Sequence, residues 1–317
     1  MNPPIRLRSR IPVWDTVLSP HRLSLGLRRL GPGERWLDVD EDLEEDLAEK
    51  ERLFRVRGPD VFVELPESRA AQDEVLDLVV HSLLAEYPDC YSKTGRRLKI
   101  VPTGKELDLR DPSRSPLELA SLCVQEDLVV MQSRPDGWCL TAAAVCFPTR
   151  WALRPQLGRA MTQIHERVPG YVEALDESSN RFFDGMKSGE VYGRGNWSLL
   201  DDPTLHQPTG KMQSHRNPKL DRTNAGDQIW LRVEHQTLQR LPSSDSILFG
   251  IRIHRTPLRD VAEDVLASRT LIEAIDTMAS AMQRYKSLGR VREVATSYLE
   301  DAIAEHEKIG ADPHRPA

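Results

Sequence analysis

Three short clusters in this chain hold residue types that can do chemistry. The first is His165, in the run Leu157-Gly-Arg-Ala-Met-Thr-Gln-Ile-His-Glu-Arg-Val-Pro-Gly-Tyr171. A neutral imidazole is a common metal ligand and a ready general base. The second is Arg194-Gly-Asn-Trp197, a cation, an amide and an indole in one short segment. Such residues wall a pocket with an apolar body and polar tips, or they form a buried Trp with hydrogen-bonded neighbours. The third is a pair of alternating runs. In one, Ile229, Leu231 and Val233 alternate with Trp230, Arg232 and Glu234; in the other, Ile247, Phe249, Ile251 and Ile253 alternate with Leu248, Gly250, Arg252 and His254. If the two runs pair as strands, the pattern expects Trp230, Arg232, Glu234, Arg252 and His254 on one polar face. That face is either an exposed ion-pair network, each pair worth ~0–1 kcal/mol, or a pocket wall where Arg holds an anionic group bidentately.

The elements that must position these clusters follow from periodicity. Leu157, Met161 and Ile164 share a helical face, so the spacing predicts an amphipathic helix that ends on His165 and is closed by Pro169-Gly170. Val172, Leu175, Phe182 and Met186 predict a further helix over 171–187. Leu128-Val-Val-Met131, the turn Pro135-Asp-Gly137 and the run 138–147 read as a hairpin. Leu241-Pro-Ser-Ser-Asp245 supplies the turn of a second hairpin, between the alternating runs. Ser68 caps a helix carrying Ala71, Val75, Leu76, Val79 and Leu83. The acidic run Asp40-Glu-Asp-Leu-Glu-Glu-Asp46 reads as the solvated face of a helix with Leu43, Leu47 and Leu53 as its apolar stripe. Residues 88–118 read as a loop-rich connection around one short strand, Leu98 to Val101, and residues 258–307 as largely helical.

Composition bounds the function. The chain has 317 residues, 39% of them hydrophobic, with a net charge of −6. That suits a globular protein and disfavours a dedicated nucleic-acid binder. No apolar run reaches the ~20 residues that span a bilayer. The expectation is a cytoplasmic protein that binds neither membrane nor nucleic acid. Cys90, Cys123, Cys139 and Cys146 lack any C-x-x-C spacing and read as reduced, buried thiols. The phosphate-cradling glycine loops, the nucleophile elbow and the H-E-x-x-H motif are all absent. His206 and His215 sit in a polar loop and read as exposed rather than metal-binding.

Five motifs in order add a resemblance: Gln125-Glu-Asp-Leu128, Cys146-Phe-Pro-Thr-Arg-Trp151, Ile164-His-Glu-Arg-Val-Pro-Gly-Tyr171, Arg194-Gly-Asn-Trp197 and Arg232-Val-Glu-His-Gln-Thr-Leu-Gln-Arg-Leu-Pro242. Together they resemble the haem-dependent oxidative N-demethylase family, the haem-bearing subunit type linked to dimethylamine oxidation, from about Leu25 to Lys286. The resemblance implies an α+β fold in which a PAS-like antiparallel sheet with flanking helices holds haem b through one histidine. It implies an oxidoreductase, a monooxygenase that uses dioxygen to remove a methyl group from a small methylated amine such as dimethylamine, as formaldehyde. Electrons would come from NAD(P)H through flavin and iron–sulfur centres of a reductase partner, and a folate-dependent partner would capture the formaldehyde. Carried onto this chain, the resemblance makes His165 the axial iron ligand. Side-chain chemistry, rather than the family pattern, adds Arg194, Asn196, Arg232 and Arg252 as cofactor-binding candidates, the guanidiniums facing haem propionates. Glu234 and Trp197 are the catalytic candidates. Glu234 would hold a substrate ammonium or pair with Arg232; Trp197 would pack on the haem or on a methylated cation. Departures from the family pattern at His235, Gln239, Gly250 and near His254 bear on the choice of amine. The rival readings are a non-catalytic PAS-type haem sensor of gas or redox state and a haem-free interaction protein. The expected organisation is an arm over 1–22, the haem-binding domain over 23–290, and a C-terminal helix and tail over 291–317.

Overall fold

The computed structural model describes residues 24–210 and 219–310. The expected arm over 1–22, His215 and the last residues of the tail lie outside them. The centre is a seven-stranded antiparallel sheet in the order β1-β8-β9-β10-β6-β7-β2. Its strands are β1 (Arg28–Arg29), β2 (Phe62–Glu64), β6 (Asp127–Arg134), β7 (Gly137–Ala144), β8 (Val191–Leu200), β9 (Trp230–Arg240) and β10 (Ile247–Pro257). The fold is therefore α+β, with helices against the sheet.

Both expected hairpins form. β6 and β7 turn through Pro135 and Asp136, with Gly137 at φ +104°, a backbone that side chains rarely adopt. β9 and β10 pair from Arg240↔Ile247 to Trp230↔Pro257 without interruption. This register sets an even-numbered residue of β9 opposite an odd-numbered residue of β10. Directly opposed residues share a face, so Arg232 and Glu234 lie on one side and Arg252 and His254 on the other. The single polar face expected from alternation is thus divided in two. Alternation fixes which residues of one strand share a face, while the loop between strands fixes which faces meet, and a one-residue difference exchanges them.

The first helical layer packs on the Arg252 face. It comprises α1 (Leu43–Val61), α2 (Arg69–Glu86) and α3 (Pro116–Ser121), with a small sheet of β3 (Tyr91–Thr94), β4 (Arg97–Ile100) and β5 (Lys105–Asp108). Only one strand of that small sheet was expected. The other two are rich in Lys, Ser and Glu and mostly exposed, so apolar alternation could not reveal them. The acidic run is a solvated face only in part: Glu41, Glu44 and Glu45 are exposed, while Asp40 and Asp46, with Asp38 before them, are buried. Ser68 precedes α2 without capping it; its hydroxyl donates to Leu65 O.

The opposite face carries α4 (Met161–Ile164), α5 (Tyr171–Ala174) and α6 (Asp176–Gly185). The long helix expected before His165 is a single turn. A bridge between Ala160 and Cys139 holds the preceding chain extended beside β7, so helix cannot begin before Met161. The helix expected over 171–187 breaks at Leu175, where α5 gives way to α6. A third hydrophobic cluster joins the far ends of β8 and β9 to α7 (Ala225–Gln228), α8 (Leu258–Ala262), α9 (Val265–Asp276), α10 (Ser280–Tyr285) and α11 (Gly289–Gly310). The four cysteines are free and buried. Among the described residues, no helix is long and apolar enough to cross a membrane.

Candidate functional site

His165 caps the C-terminus of α4, and its backbone N–H closes the turn onto Met161 O at 3.1 Å. Its ring Nδ1 lies 2.9 Å from the same carbonyl. A carbonyl oxygen only accepts, so Nδ1 carries a proton, and in the neutral imidazole Nε2 is then the nitrogen with the lone pair. Metal-binding histidines are commonly oriented by this kind of contact. The turn through Pro169 and Gly170, the latter at φ +77°, then folds Tyr171 back onto the imidazole. The two rings stack with centroids 4.6 Å apart and planes 16° from parallel. Thr162 donates to Asp176, which ties α4 to α6.

β8 supplies the opposite wall. Arg194 pairs with Gln236 and Asn196 with Glu234, so all four side chains share the face covered by α4 to α6. Burial holds the Arg194 guanidinium below its ordinary pKa, and the charges of Glu234 and the Tyr171 oxygen push it back up. Tyr171 links the two walls: its ring stacks on His165, and its hydroxyl and Glu234 both act on the Arg194 guanidinium. Arg194 Nε is buried without a hydrogen-bond partner among the described residues. Orphaned buried polar atoms carry a desolvation cost of about 1–3 kcal/mol each. Glu234 Oε2 accepts from Asn196 Nδ2 at 3.1 Å and from Gln236 Nε2 at 2.7 Å. Tyr285 stands beside it: burial, with the Glu234 charge adding, pushes its hydroxyl up to about 12. Tyr285 thus stays protonated at neutral pH.

Other expected site residues stand elsewhere. Arg232 shares the site face but is 1% exposed and committed to the protein. Its Nε donates to Thr149 Oγ1 at 3.0 Å, one terminal nitrogen to Thr204 O at 3.0 Å, and the other to Phe147 O at 2.8 Å and Leu205 O at 2.9 Å. It seams the 147–149 segment to the 204–205 loop. Burial lowers its pKa to about 10, still far above neutrality.

Arg252 lies on the reverse face. It reaches Asp40 Oδ2 at 2.6 Å and Asp46 Oδ2 at 3.1 Å. Burial alone would lower its pKa; Asp40 and Asp46 outweigh that and raise it. Trp197 also points to the reverse face, packed among the C-terminal helices, so it backs the sheet rather than facing His165. His206 is not an exposed loop histidine; its Nδ1 lies 2.9 Å from Cys146 O.

Gln125 and Glu126 join the reverse-face cluster as well, while Asp127, opposite Ile251 of β10, lies on the face of Arg232 and Glu234. Gln125 donates to Asp40 and Asp46, Glu126 accepts the Asp38 N–H, and Asp127 accepts the N–H groups of Cys146 and Phe147. Lys50 donates to Ser121 and to Glu126 O beneath them. Sequence reasoning gave Tyr171, Gln236, Tyr285 and Lys286 no role. Tyr171 had a signal, six residues beyond His165 across a Pro-Gly turn. The other three meet the site only through strand register and the packing of α10.

This donor set can seat a group that takes one nitrogen ligand and carries anionic edges. His165 offers an oriented imidazole nitrogen, and Arg194 offers a buried cation with an unsatisfied N–H. Among the described residues, no cluster of three or more His, Cys, Asp or Glu could hold a bare metal ion. Comparison with known families yields a match over residues 26–296 to the model described as "Haem-dependent oxidative N-demethylase, alpha subunit-like".

Proposed function

The chain belongs to the haem-dependent oxidative N-demethylase alpha subunit-like family, and we propose that it is the haem-bearing, amine-oxidising subunit of such an enzyme. The observation that carries this reading is the His165 tautomer, set by the Nδ1–H bond to Met161 O at 2.9 Å. His165 Nε2 would bind the iron of haem b, and Arg194 would pair with a propionate, satisfying its buried Nε. The seven-stranded sheet would serve as the PAS-like cradle. When bound, the haem would supply dioxygen activation and oxidation of an N-methyl group.

The protein's own residues hold the substrate. A small methylated amine is a cation at neutral pH and needs a carboxylate to replace its water. Glu234 suits that role, because it is a carboxylate on the site face whose Oε2 is fixed by two amides. Net, one methylamine, dioxygen, two electrons and two protons give the demethylated amine, formaldehyde and water. The electrons would arrive from NAD(P)H through flavin and iron–sulfur centres of partner chains, and a folate-dependent partner would take up the formaldehyde. The words "alpha subunit" accord with such partners. Arg232 and Arg252 are assigned scaffolding roles, since their guanidiniums are committed to protein oxygens.

The test is a visible spectrum of the purified chain reconstituted with haem, followed by formaldehyde release from methylated amines with a chemical reductant. We expect a Soret band that shifts with carbon monoxide, and formaldehyde production. A chain that takes up no haem would overturn the reading. Haem uptake without formaldehyde from mono-, di- or trimethylamine would favour the sensor alternative.

A further inference from the structure

Beyond Arg194, the described residues place no strand on the outer edge of β8, because β1 pairs only with Gly193 and Tyr192. Bare strand edges leave backbone groups unsatisfied. Lys286 fills this gap, its Nζ lying 2.6 Å from Trp197 O. From the edge it touches both faces of the strand: Asn196 Oδ1 at 2.8 Å on the site side, and the Trp197 ring, 5.6 Å from its centroid, on the other. The end of α10 delivers it. Lys286 N–H bonds Met282 O, and the next residue, Ser287, is buried with φ +59°, an uncommon backbone for a side-chain-bearing residue.

The polarity of these contacts is informative. Lys286 Nζ can only donate to an amide oxygen, so Asn196 must present Oδ1 to Lys286 and Nδ2 to Glu234. A flipped amide would set oxygen against carboxylate and NH2 against ammonium. We propose that Lys286 is a positioning residue: it locks the Asn196 amide, and through it aims the Glu234 carboxylate at the substrate's ammonium group. The inference rests on the reading of Glu234 given above. It also gives Trp197 a role, as the π face and carbonyl that seat the lysine rather than the amine.

The test uses the full chain. The Asn196 side-chain amide protons, identified by their loss in Asn196→Asp, should exchange slowly with solvent. Lys286→Met should speed that exchange at least about tenfold while β8 and β9 backbone amides keep their protection; Lys286→Arg, which keeps a donor, should restore it. In assays with mono-, di- and trimethylamine, Lys286→Met should raise KM about tenfold at nearly constant kcat, and add nothing in a Glu234→Gln background. Unchanged Asn196 exchange in Lys286→Met would overturn the proposal. Faster exchange with unchanged KM would overturn its link to substrate. If Glu234→Gln also leaves KM unchanged, the error lies in the role of Glu234 and not in the lock.

Discussion

On one face of the β9–β10 ribbon, Arg252 lies 2.6 Å from Asp40 and 3.1 Å from Asp46, and His254 lies 3.1 Å from Asp38. On the other, Arg194 has no ion pair among the described residues, although it is largely buried and shares its surroundings with Glu234. Both faces use Arg, carboxylate, amide and imidazole, so residue type does not separate a strut from a site. Ion pairing does. On the Arg252 face the guanidinium is held by two carboxylates, which fixes the Asp40–Asp46 segment to the sheet, even though Arg252 Nε, Asp46 Oδ1 and Glu126 Oε2 there are buried without a hydrogen-bond partner among the described residues. On the Arg194 face the guanidinium has no carboxylate partner at ion-pair distance among the described residues and its Nε is unsatisfied, and that unmatched charge is what an anionic ligand can fill.

The sharpest way to break this comparison is to remove a cation from each face. Arg252→Met strands the buried Asp40 and Asp46 carboxylates and should cost about 3–5 kcal/mol of unfolding free energy, read from urea denaturation. A loss under 1 kcal/mol would show that the pairing is not structural. Arg194→Met should do the reverse. Its stability should stay within about 1 kcal/mol of the parent, because no partner is left behind, while haem affinity falls about tenfold. A large loss of stability with unchanged haem affinity would make the two faces equivalent.

A smaller effect should appear in pH dependence. Burial pushes Glu126 up to about 7 and Asp127 up to about 6, with Arg252 and Lys50 respectively the largest opposing influences. A carboxyl with a raised folded pKa costs stability only once ionised. For Glu126 the cost is absent below its ordinary 4.5 and complete above about 7. Stability should therefore fall as pH rises through that window. Glu126→Gln keeps the acceptor for Asp38 N–H and should remove that part of the slope in chemical denaturation. An unaltered slope would mean that the Glu126 carboxyl does not report burial on this face.

Much of the molecule was legible in the sequence, for reasons that also mark where legibility ends. Both hairpins announced themselves through alternation and turn residues, and the C-terminal helices through their stripes. The single turn before His165 did not, because the Ala160–Cys139 bridge that shortens it is a contact distant in sequence. The charged clusters were harder. Nothing within Asp40–Asp46 reveals that a guanidinium more than two hundred residues away will bury it. His165, Arg194, Asn196 and Glu234 were named from their types and motifs, and the structure gathers them. Arg232, Arg252 and Trp197 were named by the same logic; register puts Arg252 and Trp197 on the other face, and the Arg232 guanidinium is committed to protein oxygens. Lys286 carried no signal, since its place depends on where β1 ends.

The central claim is that His165 Nε2 is a ligand position held by the Met161 carbonyl and the Tyr171 ring. It is tested most directly by His165→Gly, reconstituted with haem in the presence and absence of free imidazole. We expect the Soret band of the parent to be lost in the variant and restored, with the parent's spectrum, when imidazole fills the vacated space. A His165→Gly protein that binds haem with the parent spectrum without imidazole would contradict the assignment.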